Sequence, residues 1–434
     1  MAKRGPIRVA LLGAGTVGAA VARTLLAKRE IYSRQIGCSL EVDCVLVKDL
    51  SKPREGIAQD LLTTDFNRAC EPDVDIVVEM LGVEDPAVDY MAQALARRKF
   101  VVTANKEVMS KHGPRLLELA AEHGVDLLYE ASVGGGIPII APLKRDLLAN
   151  NIKAVTAIIN GTTNYILTAM SREGADFGDA LARAQQLGYA EPDPTNDVEG
   201  EDARYKLSIL ASLAFHTPVQ REAIYREGIT KLTAKDFRYA SELGYAIKLL
   251  AMASSQDGGI QARVHPALIP ADAPLAKVEG VLNAVQVEGD LIGRVNFQGP
   301  GAGFPTTSAV IADILDAARS IAADRPPAPR PEQTDAAILP ITDLVTRYYI
   351  RLRVIDQPGV LAQIATALGD AHISIASVIQ KEADAASKTA ELVIMTHEAR
   401  EASMQEALRT VENLTTVAEI GSFVRVEDPS TGSR

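Results

Sequence analysis

The sequence has 434 residues, of which 47% are hydrophobic, and its formal net charge is -11 at pH 7. This length predicts two to four domains with a large buried core. The negative charge, without a block of lysine and arginine, argues against a nucleic-acid surface, because phosphates need a basic stripe. No apolar run approaches the roughly 18 residues of a membrane span. We therefore expect neither nucleic acid nor a membrane among the partners.

The cysteines indicate neither a zinc site nor a disulfide framework. Cys38, Cys44 and Cys70 lie in one region of the chain and form no CxxC pair. A few cysteines without such spacing are typical of proteins kept in a reducing compartment. We expect a cytoplasmic protein.

Up to about residue 150, apolar strands alternate with helical stretches. The predicted strands are IRVALL, EVDCVLV, DIVVEML, FVVTA and DLLYEAS, and the predicted helices cover Thr16 to Arg29, Pro86 to Arg98 and Gly113 to His123. Such alternation is typical of a parallel sheet covered by helices. Residues 1–150 are therefore predicted to form one α/β domain.

The pattern changes between residues 151 and 322. It contains one long strand, NIKAVTAII, then several helices, then paired strands in VLNAVQVEGDLIGRVNF that are joined at a GD turn. We predict a second, α+β domain here. Its last helix, 306–322, belongs either to this domain or to the first one, because chain order alone does not assign it.

A proline-rich stretch separates these domains from the C-terminal part. RPPAPRPEQTDAAIL has the composition of a linker, which we place at 323–345. From 346 to 428 the predicted order is strand, helix, strand, strand, helix, strand. This βαββαβ order is ferredoxin-like.

The loop after the first strand carries the dinucleotide fingerprint. Gly13, Gly15 and Gly18 follow a strand and open a helix, and Thr16 and Val17 lie between them. The three glycines allow a tight turn, a close backbone approach to a pyrophosphate, and helix-strand packing. The alternative is a merely structural strand-turn-helix. We predict a Rossmann-type NAD(P)-binding domain.

The end of the second strand bears on the choice of cofactor. Lys48 follows Val47 directly, with Lys52 and Arg54 nearby, and Asp49 comes between them. A cation there accommodates a 2'-phosphate, whereas an acidic residue binds a ribose diol. NADP is our first expectation, and Asp49 leaves NAD open.

Lys106 is a candidate for the crevice at the carboxyl ends of the strands. Thr103 ends the strand FVVTA, and Asn105 and Lys106 then start a short helix. The positive end of a helix dipole slightly disfavours a lysine, so local stability does not explain it. Ligands bind at this edge of parallel sheets. The alternative is an ordinary surface lysine.

The segment GYAEPDPTNDVEGEDARYK, from Gly188 to Lys206, is rich in carboxylates and ends on a lysine. Asp202 and Lys206 have the i,i+4 spacing of an exposed helix ion pair. However, Ile209 and Leu210 follow at three and four residues, so Lys206 shares the apolar stripe of its helix. A lysine on that stripe needs a partner or a task, and we predict a catalytic or substrate role.

Two further stretches offer ligand groups. Glu130 heads EASVGGGIP, where a carboxylate and freed carbonyl oxygens suit a hard cation, although a plain strand-to-helix turn fits equally. NGTTN, Asn160 to Asn164, offers amides and hydroxyls to a substrate carboxylate. Thr162 or Thr163 there serves equally well as a helix cap.

Together these motifs resemble homoserine dehydrogenase. The matching stretches, in the family's order over residues 7 to about 322, are GAGTVG, TANKEVMS, EASVGGGIP, NGTTNYIL, GYAEPDPTNDVEGEDARYK and GPGAGFPTTSAV. VIDQPGVLAQIA in the tail resembles an ACT regulatory domain. No aspartate kinase precedes these motifs, so the monofunctional form is expected.

The resemblance implies NAD(P)-linked interconversion of L-aspartate 4-semialdehyde and L-homoserine, on the route to threonine and methionine. It implies that Lys206 donates the proton and that Lys106 lies beside nicotinamide and substrate. The expected substrate-binding residues are Glu191, Asp202, Asp197 and Thr162. The expected cofactor-binding residues are Gly13, Gly15, Thr16, Val17, Gly18, Lys48, Thr103, Lys106, Gly188 and Gly303. The family's monovalent cation, sodium or potassium, is expected at Glu130 and the backbone of Val133, Gly135 and Ile137.

For the ACT-like tail, we expect feedback control by an amino acid, first of all threonine, bound near Asp356, Gly359 and Val360. The alternative is a dimerisation module without a ligand. The resemblance also implies a homodimer or homotetramer. Two rival functions stay open at this point: another NAD(P)-dependent dehydrogenase of amino-acid-like substrates, and a nonenzymatic amino-acid sensor.

Overall fold

The protein is described here from a computed structural model, which covers residues 5–256, 258–327, 332–384 and 388–428. Residues 328–331 of the predicted linker lie outside the described residues. None of the described helices is long and apolar enough to cross a membrane.

The first part of the chain forms a parallel sheet with helices. Its strands are β1 (Ile7–Leu12), β2 (Leu40–Leu46), β3 (Leu62–Thr63), β4 (Ile76–Glu79), β5 (Phe100–Thr103) and β6 (Leu127–Leu128). Its helices are α1 (Thr16–Ala27), α2 (Arg29–Ile36), α3 (Ala87–Ala96), α4 (Lys106–Glu122) and α5 (Ile140–Lys144). The strand order is β3-β2-β1-β4-β5-β6, so the order reverses beside β1. That reversal is where such sheets bind nucleotides.

Two local predictions in this part were wrong. DLLYEAS was predicted as a strand, but only Leu127–Leu128 pairs, and Glu130–Ser132 is a 3-10 helix. The stretch after Asn105 was predicted as a short helix and a separate one from Gly113, whereas α4 is continuous and contains Pro114. The Rossmann-type parallel sheet itself is confirmed.

The middle of the chain mixes helices and antiparallel strands. Its strands are β7 (Ile152–Ile158), β8 (Tyr225–Arg226), β9 (Tyr245–Gln256), β10 (Gly259–Pro270), β11 (Leu282–Gly289) and β12 (Gly293–Pro300). Its helices are α6 (Gly161–Glu173), α7 (Phe177–Gln186), α8 (Thr195–Val198), α9 (Glu201–Phe215), α10 (Ala234–Glu242) and α11 (Thr306–Ala322).

The C-terminal part has the predicted ferredoxin-like order. It comprises β13 (Ala337–Leu339), β14 (Val345–Ile355), α12 (Val360–Asp370), β15 (Ile375–Asp384), β16 (Thr389–Thr396), β17 (Ala399–Arg400), α13 (Glu401–Glu412) and β18 (Val417–Val426). The strands lie in the order β18-β14-β16-β15, with antiparallel pairing throughout. Helices α12 and α13 cover one face through a core that includes Ile350, Leu352, Ile364 and Met404.

The chain divides into two compact units. The first comprises Met1–Ile152, Tyr205–Arg221 and Asn283–Asp335, and the second comprises Lys153–Arg204, Glu222–Leu282 and Ala336–Arg434. Helix α9 therefore begins in the second unit and continues in the first. The domain boundaries drawn from the sequence stay predictions.

The first unit has one core beneath its parallel sheet. Helix α11 contributes Val310, Ile314 and Ile321, which pack with Val9 of β1 and Val21 of α1. These α11 side chains are spaced by four and seven residues, that is, by about one and two helical turns, so they lie on one helix face. Residues 306–322 are thus part of the core of the parallel sheet.

The second unit contains a long mixed sheet. β9 pairs antiparallel with β7 and β10, and β10 pairs in parallel with β18. The ferredoxin-like strands therefore continue the sheet of the middle part, through Ala267 opposite Arg425 and Leu268 opposite Val426. A shared sheet makes the C-terminal part a structural extension of β10.

Candidate active site

The glycine-rich loop is built for close backbone approach. Gly13 has a φ of +101°, and a Cβ there would lie 2.9 Å from the carbonyl oxygen of Met80. A Cβ on Gly18 would lie 2.2 Å from the carbonyl oxygen of Gly13. A Cβ on Gly15 would meet no atom within 4 Å, so this glycine faces open space. Gly13 and Gly18 are required by the turn itself, whereas Gly15 leaves room for a ligand.

The start of α1 offers donors to that space. Gly15 is its N-cap and no side chain caps the helix. Thr16 is exposed and Val17 half-buried in its first turn. Uncapped amides and the positive end of the helix dipole make an anion site, as a pyrophosphate requires.

The end of β2 presents both a cation and an acid. Lys48 is exposed. The Oδ1 atom of Asp49 accepts hydrogen bonds from the backbone N (2.9 Å) and the hydroxyl (2.6 Å) of Ser51. These bonds hold the pKa of Asp49 below its ordinary value. Asp49 is therefore already engaged in a turn, whereas Lys48 extends into solvent.

A buried carboxyl that the sequence interpretation missed lies at the end of β4. Glu79 is fully buried, and its Oε2 accepts a 2.5 Å bond from the hydroxyl of Thr103 while its Oε1 accepts a 2.7 Å bond from the N of Leu81. Burial raises the pKa of Glu79 despite these bonds. A glutamate closing an otherwise apolar strand was the available signal. It fixes the predicted residue Thr103 at the end of β5.

The same region fixes the start of α4. The N of Asn105 donates to the Thr103 hydroxyl (3.0 Å), and its side-chain oxygen caps the helix by accepting from the N of Val108 (3.1 Å). Its amide nitrogen donates to the carbonyl oxygen of Val83 (2.8 Å). Lys106, half-buried, is the first residue of the helix held in this way.

Within the first unit, α4 contacts the part of α9 that starts at Tyr205. The hydroxyls of Ser110 and Ser208 lie 2.5 Å apart and are buried. The hydroxyl of Tyr205 donates to Glu107 at 3.4 Å. Lys106 lies one turn before Ser110, and the half-buried Lys206 lies two residues before Ser208. The two predicted lysines are thus carried by facing turns of one helix contact.

A third lysine of this contact is engaged differently. The ammonium of Lys111 lies 2.5 Å from Glu84 and 2.6 Å from Glu107. Although partial burial opposes it, the bonds to Glu107 and Glu84 raise the pKa of Lys111. Lys111 is therefore a structural ion-pair residue.

In the second unit, the acidic segment is organised by one amide. The Nδ2 atom of Asn160 donates to Asp197 (2.6 Å) and to Asp202 (2.9 Å), and its oxygen caps α6 by accepting from the N of Thr163 (2.8 Å). Asp202 is only 3% exposed. Asn160 thereby joins the first turns of α6 and α9 to α8. The signal in the sequence was Asn160 itself, the polar residue that precedes the threonines of NGTTN.

Of the remaining predicted residues, Thr162 is buried, whereas Glu191, Gly188 and Gly303 are exposed. The hydroxyl of Thr162 donates to the carbonyl oxygen of Tyr189 (2.6 Å), which ties α6 to the loop after α7. Glu191 and Gly188 are exposed, and Gly188 has a φ of +75°. Gly303, in the first unit, is also exposed with a φ of +77°. A Cβ would meet no atom within 4 Å at either glycine.

Glu130 is a buried cap. Its Oε1 accepts from the N of Ile139 (2.6 Å) and Ile140 (2.8 Å), and its Oε2 accepts from the N of Ala141 (2.6 Å). Its own N donates to Asp313 of α11 (2.8 Å). Burial raises the pKa of Asp313 to about 8. The sequence interpretation missed Asp313, although an aspartate on the apolar stripe of a helix was the signal.

The loop after Glu130 offers backbone oxygens. Val133, Gly135 and Ile137 are buried, and a Cβ on Gly135 would lie 2.3 Å from the carbonyl oxygen of Gly301. Among the described residues, no group of three or more His, Cys, Asp or Glu side chains is placed to hold a metal ion. A cation here would therefore be held by carbonyl oxygens.

The predicted regulatory turn precedes α12. Gly359 has a φ of +91° and is the N-cap of the helix. Asp356 is exposed, its N donates to the carbonyl oxygen of Lys388 (2.9 Å), and Val360 is buried. The exposed backbone of this turn is accessible to a small molecule.

Comparisons with known proteins identify the family of this chain. Three family models match: the homoserine dehydrogenase NAD binding domain at residues 13–130, homoserine dehydrogenase at 138–315 and the ACT domain at 348–415. The homoserine dehydrogenase of Synechocystis sp. is 44% identical, over 97% of this chain and 99% of that protein.

Two solved structures extend the likeness to the fold. A homoserine dehydrogenase from Thiobacillus denitrificans is 43% identical with a TM-score of 0.92, covering 98% of this chain and 99% of that one. A hyperthermophilic archaeal homoserine dehydrogenase mutant in complex with NADPH is 30% identical with a TM-score of 0.62, covering 72% of this chain and 97% of that one. The chain therefore belongs to the homoserine dehydrogenase family, the NAD(P)-dependent oxidoreductases that interconvert L-aspartate 4-semialdehyde and L-homoserine by acting on a CH–OH group.

Proposed function

We propose that Lys206 is the proton donor of this homoserine dehydrogenase and that Lys106 supplies a second positive charge to the reacting oxygen. The observation that carries the proposal is the contact of α4 with α9. It holds the turns of both lysines through the buried Ser110–Ser208 pair. The contact brings the first turn of α4 and the Lys206 turn of α9 to face each other, so both lysines belong to one buried helix contact.

Reduction of the aldehyde requires positive charge near its carbonyl oxygen. When bound, the nicotinamide supplies the hydride to the aldehyde carbon. The carbonyl oxygen then gains negative charge, and the Lys206 ammonium gives it a proton. Lys106 lies at the N-terminus of α4, where the helix dipole adds to the positive potential that stabilises an alkoxide.

For the substrate, we assign Asp202 and Glu191 to the ammonium group of the amino acid. Asp202 lies one turn before Lys206 on α9. A substrate whose ammonium group is held by the Asp202 carboxylate would therefore have its aldehyde within reach of Lys206. Asp197 shares the amide of Asn160 with Asp202 and supports its orientation. Thr162 ties α6 to the loop that carries Glu191 through its bond to the carbonyl oxygen of Tyr189, and we assign it a supporting role in substrate binding.

For the cofactor, we propose NADP rather than NAD. The loop residues Gly13 to Gly18 would hold the pyrophosphate and Lys48 the 2'-phosphate, with Thr103, Gly188 and Gly303 along the nicotinamide half. The engagement of Asp49 with Ser51 supports this choice, because a ribose diol would need that carboxylate. The NADPH bound to the archaeal relative supports it as well.

We also propose a monovalent cation, sodium or potassium, in the loop after Glu130. The donor set fits, because the carbonyl oxygens of Val133, Gly135 and Ile137 are buried and accept no hydrogen bond from the described residues. The Glu130 carboxylate is occupied by three amides, so we assign its backbone oxygen to the ion. Such a cation would hold the loop in place.

The ACT domain supports feedback control by an amino acid, and we propose threonine. Asp356 and the backbone at Gly359 and Val360 would hold its ammonium and carboxylate groups. We further propose a cytoplasmic homodimer or homotetramer.

One experiment tests the assignment of Lys206. Lys206→Ala should lower kcat by about 10²- to 10⁴-fold while the Kd for NADPH stays within about twofold, because only proton transfer is lost. Consumption of NADPH by aspartate 4-semialdehyde measures the first quantity, and quenching of protein or cofactor fluorescence measures the second.

Lys111→Ala is the matched control. This lysine belongs to the same helix contact but is occupied by Glu84 and Glu107. It should keep nearly full turnover with some loss of thermal stability. Near-normal turnover of Lys206→Ala, or an equal loss in both variants, contradicts the assignment. Repeating the assay with NADH and across threonine concentrations tests the cofactor and effector proposals separately.

A further inference from the structure

Strand β8 and the four residues that follow it lie against the turn before α9. The N of Glu227 donates to the carbonyl oxygen of Val264 in β10 (2.8 Å), and the N of Ile229 donates to that of Val198 (2.9 Å). A Cβ on Gly228 would lie 2.6 Å from the carbonyl oxygen of Val198. We call residues 225–230 the strap. Its backbone is fixed on both sides, within the second unit.

One side chain of the strap holds the acidic end of α9. The Nε atom of Arg226 lies 3.1 Å from Oε1 of Glu201, the first residue of the helix. Its Nη1 donates to the carbonyl oxygen of Glu199 and lies 3.7 Å from the Glu199 carboxylate. Thr230, at the end of the strap, donates to the same carboxylate at 3.2 Å.

This contact addresses an electrostatic problem of the segment. Glu199, Glu201, Asp197 and Asp202 lie within six residues, and their negative charges repel one another. A guanidinium presents several donors in a fixed plane, so it can hold two neighbouring groups in one geometry. Arg226 therefore fixes the turn that leads into Asp202.

The next side chain of the strap reaches the ACT domain. Oε2 of Glu227 accepts from Nη1 of Arg425 in β18 (2.9 Å) and from the hydroxyl of Tyr225 (3.1 Å). Arg425 is 2% exposed, and it also donates to the fully buried Glu401 of α13 at 2.9 Å and 2.5 Å and to the hydroxyl of Tyr225 at 3.2 Å. The ACT end of the strap is thus a buried, hydrogen-bonded charge cluster.

Successive side chains of an extended segment point to opposite sides. Because Arg226 and Glu227 are neighbours, one side of the strap holds the acidic end of α9 and the other holds the ACT domain. We propose that Arg226 is a positioning residue for Asp202, the carboxylate that binds the substrate. We propose further that Glu227 couples the position of Asp202 to β18 and α13 of the ACT domain. The inference rests on the proposed role of Asp202 in substrate binding.

Steady-state kinetics of the full chain test the proposal. Arg226→Gln should raise the KM for aspartate 4-semialdehyde about tenfold, with kcat within about twofold and an unchanged Kd for NADPH, because the charge-assisted contacts that fix the turn before Asp202 are lost. Arg226→Lys should recover part of this loss, since an ammonium can replace one of the two contacts. Glu227→Gln should raise the KM about threefold.

The coupling itself is read from the double variant. If the strap acts as one element, Glu227→Gln adds little to the KM of Arg226→Gln. Full multiplication of the two effects overturns the coupling, and an unchanged KM in both Arg226 variants overturns the positioning role. Arg353→Gln is the control, because Arg353 bonds to Glu419 on the exposed part of the same ACT strands and should leave the KM unchanged.

Asp202→Asn separates the two levels of the argument. A normal KM in this variant refutes the proposed role of Asp202 in binding substrate. A raised KM in Asp202→Asn together with a normal KM in Arg226→Gln refutes only the positioning role of the strap.

Discussion

The glycine loop of the first unit and the acidic segment of the second unit are built on different principles. The loop is made of backbone: Gly13 and Gly18 allow close approach, and helix amides face open space at Gly15. The acidic segment is made of side chains, with Asn160 joining Asp197 and Asp202. A backbone site depends on having no side chain at a few positions, whereas a side-chain site depends on the identity of each donor and acceptor.

The largest effect is expected at Gly18. Gly18→Ala places a Cβ 2.2 Å from the carbonyl oxygen of Gly13, so the loop must move. We expect NADPH affinity to fall by about 100-fold or more and stability to fall by about 1–3 kcal/mol. Isothermal titration and thermal unfolding measure the two.

Gly15→Ala sharpens the comparison. A Cβ there meets no protein atom within 4 Å, so the apo protein should unfold at its usual temperature while NADPH binding is lost. Equal unfolding temperatures of both variants would contradict the distinction between the turn glycine and the ligand glycine.

Asn160→Asp is the matching change in the side-chain site. Aspartate keeps the shape and can still cap α6, but it replaces the donor to Asp197 and Asp202 by a third negative charge. We expect the KM for aspartate 4-semialdehyde to rise about thirtyfold, with unchanged NADPH affinity. Asn160→Ala should be milder, because it removes the donor without adding charge. If the two variants behave alike, the amide is not the organising group.

A smaller effect is expected at Lys48. Lys48→Ala should raise the KM for NADPH about tenfold through loss of one charge-assisted phosphate contact. The KM for NADH should not change, which makes NADH the internal control. An equal change for both cofactors would assign Lys48 to the common part of the dinucleotide and remove the support for an NADP preference.

The same contrast explains what could be predicted from sequence. The glycine loop could be predicted because a preceding strand and three glycines at a fixed spacing define it. The βαββαβ order of the ACT domain could be predicted from its pattern of strands and helices. The hairpin of β9 and β10 was not identified. Most of its residues are buried on both faces, so it lacks the alternation that marks a half-exposed strand.

The candidate site shows a corresponding limit. The sequence pointed to Asp202 and Lys206 because they share one helix, at local spacing. It did not identify Glu79, Asp313, Arg226 or Arg425, which have side-chain or backbone partners from 24 to 198 residues away. Such pairings depend on which strands and helices become neighbours, and no local pattern records that.

The smallest expected effect concerns the buried carboxyl of Asp313. Burial raises the pKa of Asp313 to about 8, whereas the ordinary pKa of an aspartate is 3.8. At pH values between these two pKa values, the Asp313 carboxyl has lost its proton in the unfolded chain but keeps it in the folded protein. Stability should therefore fall as the pH rises from about 4 to 8.

Asp313→Asn tests this assignment, because asparagine keeps an oxygen for the N of Glu130 but does not titrate. The difference in unfolding temperature between pH 5 and pH 8 should shrink in this variant. Asp324→Asn changes an exposed aspartate just after the same helix and should leave that difference as it is in the unmodified chain. An undiminished pH dependence in Asp313→Asn would mean that other groups carry it. The buried carboxyl would then serve only to hold Glu130 and its loop through a hydrogen bond.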